Sequence, residues 1–167
     1  TMWGVYYFAN SIVSAFAFLG LVLLLLRDRG VLVGIVTKEH YHDIGKLVFA
    51  FTVFWAYIGF SQYFLIWYAN LPEETVFFSS RAGNTWAVLG AYLMVGHFGL
   101  PFLGLMGRTV KRIPWTLALG CCWVLTFHYL DLYYLVMPLH HEAGIHVTLV
   151  DLLCVVGILG LYLGTAA

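Results

Sequence analysis

Five long apolar runs constrain this chain more than any motif it carries. They cover about Met2–Leu26, Lys46–Leu71, Thr85–Gly107, Ile113–Met137 and Gly144–Gly164. About 20 apolar residues in a helix cross a bilayer's hydrocarbon layer, and each run is long enough. The chain is 62% hydrophobic and only 10% charged, against about 25% charged in a soluble domain. A 167-residue chain of this composition would leave much apolar area exposed if it folded in water. The expectation is an all-α, polytopic membrane protein of about five transmembrane helices. It forms one transmembrane domain over residues 1–167, with no room for a separate soluble one. The formal net charge is zero, so electrostatics make no case for nucleic acid binding.

The loops differ in charge. Arg27, Arg29, Lys38 and Lys46 flank or occupy the first, and Arg108, Lys111 and Arg112 occupy the third. Pro72–Asn84 and Pro138–Ala143 contribute only Arg81. The positive-inside rule puts the first and third loops in the cytoplasm, with Thr1 outside and Ala167 inside. The first run is too long for a signal peptide, and no basic residue precedes it. A start at Thr1 suggests a processed chain or a piece of a longer one. The 27–45 loop reads as a short interfacial segment, with Thr37 placed to cap a helical turn beginning at Lys38. Pro101 interrupts the third run and should kink it, and Gly96, Gly99, Gly104 and Gly107 around it should let a neighbouring helix approach. Cys121, Cys122 and Cys154 form no CxxC and read as small apolar helix residues; no metal site is expected.

Charge inside a bilayer is costly and usually has a task. Asp131 and His128 share one face of the fourth run, and Asp151 lies in the fifth with His146 before it. Each aspartate falls about 10 Å in from the outer end of its run, and Ser61, Gln62 and Tyr63 of the second run lie roughly 12–15 Å in. With His140, His141 and Glu142 in the next loop outward, these residues sketch a water-fed half channel for protons. The alternative is that they bond across helices and fix packing only. His97 and His128 also permit a two-histidine b-type haem, although a histidine bonded to a carbonyl explains His97 more simply. The aromatics of the second run could line a quinone pocket or face lipid.

The segments EHYHDIGK and FAFTVFWAYIGFSQYFLIWYANLPEET, with FHYLDLYYLVMP and HVTLVDLL later on, closely resemble the ActF subunit family of bacterial alternative complex III. The resemblance covers essentially the whole chain. It implies an NrfD-like membrane subunit of a quinol:electron-acceptor oxidoreductase in the bacterial inner membrane. Haem c and iron–sulfur clusters are then expected on partner subunits, and quinol chiefly on an ActC-like partner. This chain would carry no redox centre and would contribute a proton pathway and a scaffold, through His128, Asp131 and Asp151 with His146, Ser61, Gln62 and Tyr63. A quinone-binding subunit and a purely structural membrane anchor are the alternatives. The family has about ten helices, so the chain reads as a C-terminal half, with the second to fifth runs making one four-helix bundle.

Overall fold

The computed structural model describes residues 2–32, 34–82, 85–139, 144–145 and 148–166. It is helical, with no strand among the described residues. The elements are α1 (Trp3–Asp28), α2 (Lys38–Ala69), α3 (Pro72–Ser79), α4 (Thr85–Met106), α5 (Arg108–Arg112), α6 (Pro114–Val136) and α7 (Leu149–Ala166). Among the described residues α1, α2, α4 and α6 are long and apolar enough to cross a membrane, and α7 is a shorter apolar helix. The chain is therefore a multi-pass helical membrane protein.

Two boundaries differ from the sequence expectation. The interfacial segment after Thr37 is not separate: it runs straight into the second span, making α2 a helix of 32 residues. Its start is fixed by the Thr37 backbone N–H donating to His40 Nδ1 at 3.1 Å, which satisfies one of the orphan donors that every helix start leaves. The Pro72–Asn84 loop contains a helix. Asn70 ends α2 in the left-handed region at φ 48°, Pro72 takes the first position of α3, and Glu73 and Glu74 face its N-terminal dipole.

Helices α1, α2, α4 and α6 form the bundle. This corrects the expectation that the second to fifth runs would make it. The reason lies in side-chain size. Helix α1 buries Tyr6, Ala9, Asn10, Val13, Ala17 and Gly20 along one stripe, and small residues there let α2 and α6 approach closely. A Cβ on Gly20 would lie 3.1 Å from Cys121 Sγ. Helix α7, by contrast, exposes Leu149, Val150, Leu152, Leu153 and Val156. Among the described residues no other helix packs along it.

The irregularity at Pro101 takes a specific form. Met94–Gly99 is one wide π-helical turn, and Pro101 opens the regular turns after it. Proline has no N–H to give to the carbonyl a turn earlier, so the helix must redistribute its bonds. The Gly96 carbonyl accepts Trp123 Nε1–H from α6 at 2.8 Å. The turn also aims His97 inward, where it is fully buried. Of the four glycines around it, only Gly96 abuts another spanning helix: a Cβ there would come within 2.0 Å of the Phe127 ring, whereas one on Gly104 would meet nothing within 4 Å.

Overpacking a tight contact costs about 1–3 kcal/mol. Gly96→Ala should therefore lower the thermal unfolding midpoint in detergent, while Gly104→Ala leaves it in place. Equal midpoints for the two variants would contradict the packing described for α4 on α6.

Candidate functional site: a buried carboxylate beneath a cavity

Asp131 lies on α6 and is 1% exposed. Three donors converge on it. Tyr6 Oη–H reaches both carboxylate oxygens, at 2.7 and 2.8 Å. Asn10 Nδ2–H donates to Oδ2 at 2.6 Å and Trp55 Nε1–H to the same oxygen at 3.3 Å. Tyr6 and Asn10 are four residues apart, so α1 presents both from one face. Bonds to a buried carboxylate are among the stronger ones in proteins, and a missing donor leaves desolvation uncompensated. This cluster joins α1, α2 and α6 at one point.

Among the described residues no hydrogen bond joins His128 to Asp131; the connection runs through α1. Asn10 Oδ1 lies 2.7 Å from His128 Nδ1. The orientation that gives Asp131 an amide N–H turns Oδ1 toward the ring, so Nδ1 carries the hydrogen in this bond. His128 thus fixes the Asn10 amide, which in turn fixes Asp131. An amide holds no proton it can readily exchange, so Asn10 separates the imidazole from the carboxylate chemically while coupling them in geometry. His97 stands on the other side of Trp55, its ring centroid 4.1 Å from the indole's. Neither ring nitrogen of His97 has a hydrogen-bond partner among the described residues.

A cavity of about 340 Å³ opens beside the carboxylate. Asp131, Tyr6, Trp55 and Gln62 line it, together with Phe77 and Phe78 of α3. Helix α3 is held there by Arg81, which is 4% exposed. Arg81 Nη1 donates to the Phe77 carbonyl at 2.6 Å and Nη2 to that of Leu135 at 3.1 Å. The guanidinium carbon lies 3.6 Å from the Phe77 ring centroid. Leu135 closes the last turn of α6, where a cation meets the negative end of the helix dipole. Burial lowers the Arg81 guanidinium below its ordinary value; bonded to carbonyls and the Ser80 hydroxyl, it stays charged.

The expected site residues divide. Asp131, His128 and Gln62 belong to the cluster or its cavity. Gln62 is buried, with Oε1 accepting the Met2 backbone N–H at 2.8 Å and Nε2 unpartnered among the described residues. Tyr63 is 47% exposed and meets Phe78 at the cavity rim. Ser61 turns its hydroxyl back to the Tyr57 carbonyl of its own helix at 2.8 Å. Asp151 is not deep in a span: α7 begins at Leu149 rather than Gly144, so the aspartate lies in its first turn and accepts Thr148 N–H at 2.8 Å and Oγ1–H at 2.9 Å. His146, together with His140, His141 and Glu142, lies outside the described residues. The two histidines considered for a haem are separately engaged, His128 by Asn10 and His97 against Trp55.

Sequence reasoning overlooked Tyr6, Asn10 and Arg81. Asn10 had a signal, being the one carboxamide in the first apolar run. Arg81 had one as well, as the sole basic residue of its loop.

No family model matches the chain, and no curated protein matches it.

Two substitutions test the cluster and the hold of Arg81 on α3. Tyr6→Phe removes the donor shared by both carboxylate oxygens and should destabilise the fold by about 1–3 kcal/mol, while Tyr63→Phe leaves unfolding unaltered. Arg81→Gln should speed hydrogen exchange in Pro72–Ser79 by about tenfold or more, the equivalent of one strong hydrogen bond. Unchanged exchange there would show that Arg81 does not hold α3 down.

Proposed function

We propose that this chain is the C-terminal part of an ActF-like membrane subunit of an alternative complex III, a quinol:electron-acceptor oxidoreductase. In this reading the bundle carries a proton half-pathway ending on Asp131. The observation that carries the reading is a carboxylate deep among spanning helices, saturated with donors on its bundle side and open to a cavity on the other. An anion in hydrocarbon is costly, and three donors together with access to a cavity offset that cost. Protons move between the cavity and Asp131, with Tyr6 as the hydroxyl partner. His128 and Asn10 orient the carboxylate rather than relay protons themselves.

The wider setting follows from the resemblance. The membrane is the bacterial inner membrane. The end bearing Arg27, Arg29, Arg108, Lys111 and Arg112 faces the cytoplasm, and the cavity faces outward. Haem c and iron–sulfur clusters reside on partner subunits, and an ActC-like partner oxidises quinol.

A second reading is favoured by the cavity's lining. Trp55, Phe77 and Tyr134 give it aromatic walls, while Asp131 and Gln62 supply one acceptor and one donor. Pockets with mostly apolar walls and a few convergent polar groups are where small amphipathic ligands bind. A quinol head group would fit that chemistry, which would make the chain itself a quinol-binding subunit.

Asp131→Asn in the intact complex distinguishes these readings. It keeps the size of the side chain and removes its proton chemistry. The expected outcome is about a hundredfold loss of quinol-driven proton movement, in line with the loss of a proton-transfer group, with bound quinol unchanged. Loss of quinol occupancy from this bundle would favour the second reading. Turnover and proton movement both at the wild-type level would leave the chain as a structural anchor.

A further inference from the structure

A second concavity lies at the opposite end of the bundle. It is a groove of about 440 Å³ between α4 and α6, lined by Pro101, Gly104, Leu119, Gly120, Trp115 and Trp123. Its origin is local. The wide turn before Pro101 breaks the regular stacking of α4 on α6, and Gly104 contributes no side chain where nothing lies within 4 Å. The groove is apolar along its length and reaches Val110 and Thr116, at the turn where α5 joins α6.

That turn is basic. Lys111 folds its stem against Gly45 and sets its ammonium 5.3 Å from the Phe49 ring centroid. Burial, and then the charge of Lys46, lowers it below the ordinary lysine value. Arg112 pairs with Glu39. Arg108 is exposed, with no hydrogen bond or ion pair among the described residues. Trp115, at the same level, is 76% exposed, as an indole at a lipid headgroup boundary would be.

We propose that this groove is a binding site for an anionic phospholipid. One acyl chain lies along Gly104 and Gly120, and the phosphate pairs with Arg108. The argument is one of charge and shape together. An acyl chain matches the apolar channel between the helices, and the uncommitted guanidinium of Arg108, on the same short helix as Val110 of the channel's lining, matches an anion. Basic positions beside a membrane surface each favour anionic lipid by about 1 kcal/mol, which is about fivefold in affinity. A neutral phospholipid would use the channel without that preference.

The test is lipid-specific quenching of tryptophan emission in the purified protein reconstituted in vesicles. Brominated-chain phosphatidylglycerol is compared with brominated-chain phosphatidylcholine, and Trp115→Phe identifies the Trp115 part of the signal. The proposal expects phosphatidylglycerol to half-quench Trp115 at about a fivefold lower mole fraction. Arg108→Gln should bring the two lipids together. Gly104→Leu, which fills the channel where no neighbour is met, should abolish saturable quenching with thermal unfolding unaltered. Equal quenching by the two lipids in the unaltered protein would overturn the proposal. So would a preference that survives both substitutions, or the absence of saturable quenching because a protein helix covers the groove.

Discussion

A carboxylate that cannot be solvated governs this bundle. Asp131 lies where water is scarce, and its charge must be met by protein dipoles. Tyr6, Asn10 and Trp55 meet it from α1 and α2. Three spans are thereby tied to one another at one point. In lipid the hydrophobic effect gives little reason for one helix to choose another, so close packing and polar bonds must decide it. Here one acceptor decides it for α1, α2 and α6. Helix α4 is placed by packing instead, through the Gly96 contact with Phe127 and the Trp123 bond to the Gly96 carbonyl.

The apolar runs announced spanning helices, because length and hydropathy depend on composition alone. The membership of the bundle was less legible. Helices α1 and α7 are both strongly apolar, and what separates them is the stripe of Ala9, Asn10, Val13, Ala17 and Gly20 on α1. That stripe has meaning only once a partner surface exists for it. Helix α3 was hidden because its eight residues are too few and too polar for a span, although Pro72 followed by two glutamates is a recognisable start.

The site was half legible. Intramembrane charge pointed to Asp131 and His128, and polarity pointed to Gln62. The depth argument misplaced Asp151, since it assumed that the helix begins where the apolar run begins, and Thr148 instead makes the start of α7. Ser61 looked equivalent to Gln62 in sequence. A serine hydroxyl can satisfy itself on the carbonyl a turn earlier, whereas a glutamine reaches further, and this difference removes Ser61 from the cavity. Tyr6 could not be singled out among the chain's eleven tyrosines without knowing which helix faces Asp131.

The two ends of the bundle are fastened by different kinds of bond. At one end the Arg112–Glu39 pair, between α5 and α2, is substantially exposed to solvent. At the other, Arg81 is buried and bonded to backbone carbonyls. Mobile ions screen the first kind within about a nanometre and barely reach the second. Ionic strength therefore acts on this molecule from one side. The α2–α5 end slackens as salt rises, while the Arg81 attachment of α3 to α6 keeps its grip.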